Sequence, residues 1–297
     1  MLSIIICSIS PERLQQVSRN IQDTIGVEYE IIAIDNREKK WPIARAYNEG
    51  ARQARYPFLF FVHEDVRFRS QDWGTVIEEK LKEPDCGVIG FAGTKIKLKC
   101  YSSWLQYYRW VCAFYYQGSK EGTKFEVSHA TLERPFEEVV ALDGLGMFVR
   151  KDVWSQYPFD EELLTGFHCY DLDFSMQIAA SKQYKNYVCC SLQVLIEHFS
   201  LGSYNRSWYQ DTIRMHKQKW NKMLPLKVEG VKLDKKKEKW YEERYFYFFV
   251  RDLIKAGYPE KKAVLKDFLA YPFSWKHLGH CISMLCLYSK SHKKSPS

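Results

Sequence analysis

Five apolar residues in succession, Phe58-Leu59-Phe60-Phe61-Val62, end in the charged triplet His63-Glu64-Asp65. A short run that is apolar on both alternating faces and bounded by charge predicts a strand covered on both sides, as in the parallel sheet of an α/β domain. Ligands in such sheets sit beyond the carboxyl ends of the strands, where this triplet falls. Side chains alternate along an extended chain, so His63 and Asp65 are expected to point one way and Glu64 the other. Taken alone, an acidic triplet after a strand is more often a solvated strand end than a metal site. The neighbouring strands have to decide.

Those neighbours follow a βαβ pattern. Ser3 to Cys7, Glu30 to Ile34 and Phe58 to Val62 read as strands, with helices over Pro11 to Ile25 and Ile43 to Ala54. The alternation implies a mixed, mainly parallel sheet flanked by helices, with right-handed crossovers. Asp72 is placed to cap a helix ending at Leu81, and Gly87 to Phe91 reads as a short strand. The stretch from Lys95 to Glu138 is less regular and carries Trp104, Tyr107, Tyr108, Trp110, Phe114, Tyr115 and Tyr116, which suggests an insertion over the site. Val139 to Gly144 returns to a strand, and Met147 to Val149 follows a Gly-Leu-Gly turn. Beyond Arg206 the pattern is helical, over Trp208 to Trp220, Lys237 to Ala256 and Pro259 to the tail. The expected organisation is an α/β domain over residues 1–205 and a helical, basic, aromatic-rich region over 206–297, with no internal repeats.

At 297 residues the chain can bury a large core, and its 20 Tyr and 9 Trp supply rings for a sugar, a base or a membrane interface, although most belong to packing. The net charge of +8 gathers late, at Lys232, Lys235, Lys236, Lys237 and Lys239 and in a tail with Lys290, His292, Lys293 and Lys294. Such a region suits an anionic membrane surface or an acidic partner, and no nucleic-acid module accompanies it. A solvated charged face explains it equally well. Beside the lysine run, Trp240, Tyr241, Tyr245, Phe246, Tyr247, Phe248 and Phe249 fit either an interfacial segment or helix packing.

Nine irregularly spaced cysteines point to reduced thiols in a cytoplasmic protein. The opening Met1 to Ile6 lacks the basic start and the length of a signal peptide. No stretch reaches the roughly 18 apolar residues of a membrane span, so membrane contact is expected to be peripheral, at the inner face of the plasma membrane. Two motifs are set aside. His277, His280, Cys281 and Cys286 lack paired zinc-ligand spacing, and Gly144-Leu145-Gly146 lacks the third glycine of a dinucleotide fingerprint.

Read together, the strand ends put Ser8, Asp35, His63, Asp65 and Asp143 on one sheet edge. A strand-to-helix junction adds Asp171 and Asp173, and Glu197-His198 closes the apolar run Val194-Leu195-Ile196. This is material for metal-assisted group transfer. On these residues, up to about residue 220, the chain resembles a family 2 glycosyltransferase of the GT-A fold, and more narrowly the bacterial subgroup with a His-x-Asp-Val element, here His63-Glu64-Asp65-Val66.

The resemblance implies that Ile4 to Ser8 touch the nucleotide, that Asp35 holds its base or ribose, and that Asn48-Glu49-Gly50 is the Asn-x-Gly helix. It assigns a Mn²⁺ or Mg²⁺ ion to Asp65, His198 and His63, the acceptor side to Asp143-Gly144 and the catalytic base to Asp171. The implied reaction is inverting transfer from a UDP-linked sugar donor to a glycan or lipid-linked glycan. Three departures stand out: His63 replaces the first metal-motif Asp, Tyr170 replaces the Glu before the base, and Tyr47 stands where an Arg is common. They motivate a non-catalytic nucleotide-sugar-binding scaffold as an alternative. A sugar-phosphate nucleotidyltransferase is another, although Ser8-Ile9-Ser10-Pro11 offers no glycine-rich phosphate loop. Plain structural roles also remain: Asp171 or Asp173 as caps of a helix from Phe174 to Ala180, Asp35 and Asp143-Gly144 as turn formers, and His198 as a satisfied histidine.

Overall fold

The computed structural model describes residues 1–105, 108–119, 122–128, 134–200, 202, 204–271 and 275–292; Tyr107, Lys293 and Lys294 lie outside them. The chain opens with β1 (Leu2–Ser8), α1 (Pro11–Thr24), β2 (Tyr29–Asp35), α2 (Ile43–Gln53) and β3 (Phe58–Val62), the alternation that the sequence predicts. It continues with β4 (Val66–Phe68), α3 (Trp73–Leu81), β5 (Cys86–Gly90), β6 (Ala92–Thr94) and β7 (Ile96–Lys97). A hairpin of β8 (Val111–Ser119) and β9 (Gly122–Ser128) is followed by β10 (Phe136–Val139), β11 (Ala141–Leu142), β12 (Gly146–Arg150) and α4 (Lys151–Gln156). Next come α5 (Tyr170–Ala180), β13 (Lys185–Cys189), β14 (Ile196–His198) and α6 (Arg206–Met215), which runs on as a π-helical turn to Trp220. After β15 (Leu226–Lys227) the chain ends in α7 (Lys235–Lys255), α8 (Lys261–Leu269) and α9 (Trp275–His292).

Among the described residues the main sheet has seven strands in the order β10-β13-β5-β12-β3-β1-β2. Only β12 and β10 run against the direction shared by the others. The period-two pattern sorts its residues between two cores. Ile4, Ile6, Phe60, Val62 and Phe148 pack with α1 and α3, whereas Ile5, Leu59, Phe61, Met147 and Val149 pack with α2 and α5. The two-sided apolar run of β3 is thus explained by burial on both faces.

Several expectations need correction. The stretch from Lys95 to Glu138 contributes strands to three sheets, and its β8-β9 hairpin joins the six-stranded second sheet, β11-β6-β8-β14-β4. Val139 to Gly144 is no single strand, because β10 belongs to the main sheet and β11 to the second. Asp72 stands before α3, but its backbone is left-handed (φ 55°) and its side chain makes no cap bond; its N–H is tied to Thr24 O at 2.8 Å instead.

The C-terminal helices enclose a third core in which Phe246, Phe249, Val250 and Leu253 meet Ile96, Leu98 and Cys100. Phe246 and Phe249 of the aromatic row are therefore helix packing, which removes them from any interfacial segment. A wholly buried lysine joins this part to the rest: Lys97 Nζ donates to Leu98 O and Cys100 O, each at 3.1 Å, and to Ser102 Oγ at 3.0 Å. It also meets His216 Nε2 at 2.9 Å, while His216 Nδ1 lies 2.7 Å from Thr212 O. The latter contact makes Nδ1 the donor and leaves Nε2 to accept from Lys97. Burial pushes Lys97 down to about 8. No disulfide joins the described cysteines, and no helix among the described residues is long and apolar enough to cross a membrane.

Candidate active site

Strand register brings the site together. Parallel pairing of Ile6 with Val62 and of Ser8 with Asp35 aligns the carboxyl ends of β1, β2 and β3. β12 enters the same edge antiparallel, with Gly146 opposite Val62, so the turn before it meets the triplet; His63 N–H donates to Leu145 O at 3.4 Å. β4 then crosses to the second sheet, where Val66 pairs with His198 and sets that histidine beside Asp65. Phe199 N–H on Asp65 O at 3.0 Å and Gln117 Nε2 on His198 O at 2.9 Å fix this junction.

The alternation expected of the triplet is present. Glu64 turns away and accepts from Ser8 Oγ at 2.6 Å and from Ser10 N–H at 3.2 Å. His63 and Asp65 face the other way, with His63 Nδ1 at 3.8 Å and His198 Nε2 at 3.6 Å from Asp65 Oδ1. One ligand atom from each of these three residues lies within 4.8 Å of the other two. His198 Nε2 is buried and has no hydrogen-bond partner among the described residues.

Tyr170 fixes the His63 tautomer. Its hydroxyl lies 2.7 Å from His63 Nε2 and 3.0 Å from Gly144 O. A carbonyl can only accept, and the phenol has one proton, so both contacts form together only when Tyr170 donates to Gly144 and His63 Nε2–H donates to Tyr170. That leaves a bare lone pair on Nδ1, facing Asp65. Burial, reinforced by the like charge of His198, lowers the pKa of His63 and favours the neutral ring. Burial opposes ionisation of Asp65, but its interactions with His198 and His63 outweigh this and hold its carboxyl below the usual range. Two imidazoles and a carboxylate, one imidazole nitrogen being buried without a hydrogen-bond partner among the described residues, fit a divalent cation.

On the other side of Tyr170 is a pair of carboxylates. Asp143 is held by Trp104 Nε1 at 2.6 Å and Leu145 N–H at 3.0 Å. Asp171 is raised from 3.8 to about 7, first by burial and then by the charge of Asp143. Gly144 is required here: a Cβ would stand 2.2 Å from Tyr170 Oη and 3.0 Å from Asp171 Cβ. Asp143-Gly144 is thus a close-approach site as well as a turn.

α5 begins at Tyr170 with Cys169 at the N-cap, so neither Asp171 nor Asp173 is the N-cap residue; both lie in the first turn, where their charge suits the helix dipole. Asp173 is fully buried and accepts from Trp220 Nε1 at 2.7 Å and Lys219 Nζ at 2.8 Å, a packing role.

The structure gathers His63, Asp65, His198, Asp143 and Asp171, and places the other candidates differently. The Ser8 hydroxyl is committed to Glu64. Asp35 lies at the β2 end, exposed and paired with Arg37 Nη2 at 2.6 Å, which holds its carboxyl down at about 2. Asn48 does not reach the edge. It is 1% exposed, and its amide donates to Phe159 O at 2.8 Å and Glu161 Oε1 at 2.9 Å while accepting from Trp154 Nε1 at 3.0 Å and Phe159 N–H at 3.1 Å. With every hydrogen-bonding position used, Asn48 is a structural hub. Asn48→Ala is expected to lower unfolding free energy by about 3 kcal/mol in urea titration, because it strands several buried polar groups.

Sequence reasoning missed Tyr170 as the group orienting His63, Trp104 as the clamp on Asp143 and Gln117 as the brace behind His198. The only available signal was the position of Tyr170 next to the candidate base.

A mixed sheet whose shared edge carries a histidine-carboxylate donor set, with a second carboxylate pair across from it, defines an α/β domain of the GT-A type. The chain belongs to the glycosyltransferase-like family, whose model matches residues 3–221. Among solved structures, GalNAc-T7 with UDP, GalNAc and Mn²⁺ aligns with a TM-score of 0.52 at 10% identity, over 99% of this chain and 56% of that one. TarS of S. aureus aligns with a TM-score of 0.50 at 11% identity, over 98% of this chain and 55% of that one. The chain thus spans little more than half the length of each. No match was found among curated proteins.

Proposed function

We propose that this chain is an inverting, metal-dependent glycosyltransferase that moves a sugar from a UDP-linked donor to a glycan or lipid-linked glycan acceptor. The observation that carries this reading is the His63-Asp65-His198 donor set on the sheet edge shared with Asp143 and Asp171. Asp65, His198 and His63 would hold Mn²⁺ or Mg²⁺, which, when bound, supplies positive charge for the departing diphosphate. Asp35, at the end of β2, is assigned to the ribose or base, reached once Arg37 releases it.

Asp171 is assigned as general base. A carboxylate poised near neutrality can take the acceptor's proton as the oxygen attacks the anomeric carbon, and a single displacement from the face opposite the leaving group inverts that centre. Asp143, locked by Trp104 and the turn, is fixed beside Asp171 and adds to burial in raising its basicity. Tyr170 holds His63 with its bare nitrogen turned toward Asp65. The neighbouring Asp171 lies in the same helical turn, so binding and proton transfer share one rigid support.

Calorimetric titration with a panel of UDP-sugars, with Mn²⁺ and with chelator, tests the reading. Binding to at least one donor is expected, weakened about tenfold or more by chelation. Folded protein that binds no donor under either condition would overturn it.

A further inference from the structure

We propose that α9 docks the C-terminal helices on an anionic lipid bilayer, a role that does not depend on the transfer chemistry assigned above. α9 is apolar on two sides, one buried and one exposed. His277, Cys281 and Met284 are buried at 3%, 9% and 0% exposure against α7 and α8. On its exposed side Trp275 is 83% exposed, Leu278 39%, Ile282 57% and Leu285 46%. Spacings of three, four and three residues keep these four side chains on one helical face, a stripe about 15 Å long. It has the indole expected at a membrane boundary and no charged group along its line.

The charge around the stripe selects the occupant. Lys and Arg outnumber Asp and Glu by 21 to 9 over residues 206–297, against 23 to 27 over residues 1–205. The cationic part of the molecule is therefore the part that carries the apolar stripe. On the side of α9 that faces α7, away from the stripe, a cleft of about 120 Å³ is lined by Trp240, Arg244, Tyr247 and Lys276 together with Glu243 and His280, which pair with each other at 2.6 Å. Arg244 lies 5.2 Å and Lys276 4.6 Å from the Trp240 ring centre, and neither forms an ion pair among the described residues. Two cations over an aromatic floor suit a lipid headgroup phosphate, and with the net positive charge of these helices they favour an anionic surface. The stripe offers no directional hydrogen bonds, and a fluid hydrocarbon boundary needs none.

Co-sedimentation of the full chain with phosphatidylcholine vesicles containing about one quarter phosphatidylglycerol tests this. The expected result is binding that falls steeply with added salt and is at least about tenfold weaker with pure phosphatidylcholine. The double variant Ile282→Glu/Leu285→Glu alters exposed positions and should keep the wild-type melting curve while losing about tenfold or more in vesicle binding. Arg244→Glu/Lys276→Glu should lose binding to the anionic vesicles alone. Failure of the wild type to bind anionic vesicles at low salt, a test that needs no variant, would overturn the proposal. So would full binding by the stripe variant. A wild-type dimer that the stripe variant dissolves, with vesicle binding unchanged, would make the face a self-interface and overturn it as well.

Discussion

Asp171→Asn is expected to lower kcat roughly a thousandfold while leaving donor affinity near the wild-type value, because a general base acts on the acceptor proton and not on the nucleotide. The wild-type rate should rise with pH and level off around 7, the value to which burial and Asp143 raise Asp171. The same shift predicts an opposite effect on stability. The folded-state pKa lies above the unfolded one, so the contribution of this carboxyl is greatest below pH 3.8 and is lost as pH climbs toward about 7. Above that, the wild type carries the whole cost of an ionised buried carboxylate and the amide carries none. Asp171→Asn should therefore unfold at higher urea than wild type at pH 8, by on the order of 2–4 kcal/mol, and match it near pH 3.5. An inactive variant that is also less stable at pH 8 would show that Asp171 serves the fold.

Asp65→Ala is expected to abolish the dependence of donor binding on Mn²⁺ and to weaken binding in its presence about a hundredfold. It removes the only carboxylate of the donor set and leaves two imidazoles facing each other. Calorimetry with and without chelator reads this directly. Tyr170→Phe grades the effect: without the hydroxyl, His63 loses the contact that turns Nδ1 toward Asp65, and metal affinity should fall about tenfold with the carboxylate intact. If Tyr170→Phe matched wild type while Asp65→Ala failed, His63 would not be a ligand. Asp65 also affects stability. Its pKa is held down in the folded state, so its contribution is present above the unfolded carboxylate range and is lost as pH falls through the folded value.

The parts of this site legible in the sequence are those fixed by local periodicity. β3 announces itself because two-sided burial demands an uninterrupted apolar run, and the alternation after it separates Glu64 from His63 and Asp65. What the sequence withholds is which side chains meet across the sheet. Tyr170 reaches His63 over 107 positions, through a helix that starts four residues earlier than its apolar pattern indicates. Asn48 shows the converse. A residue placed by motif resemblance on the nucleotide side has its amide filled by Trp154, Phe159 and Glu161, whose arrival depends on the fold of α4 and the loop beyond it. The Lys95 to Glu138 stretch looked irregular because its strands go to three sheets, and no single burial period spans it.

The donor set straddles a seam. His63 follows the last residue of β3 in the main sheet, whereas His198 ends β14 in the second, and Asp65 sits in the short link from β3 to β4, the strand that pairs with β14. An ion gripped by all three would rivet one layer to the other. Mechanical independence of the layers then becomes a matter of cation supply: chelation should speed amide deuterium uptake at β4, β14 and the β8-β9 hairpin and leave the β1-β3 centre protected.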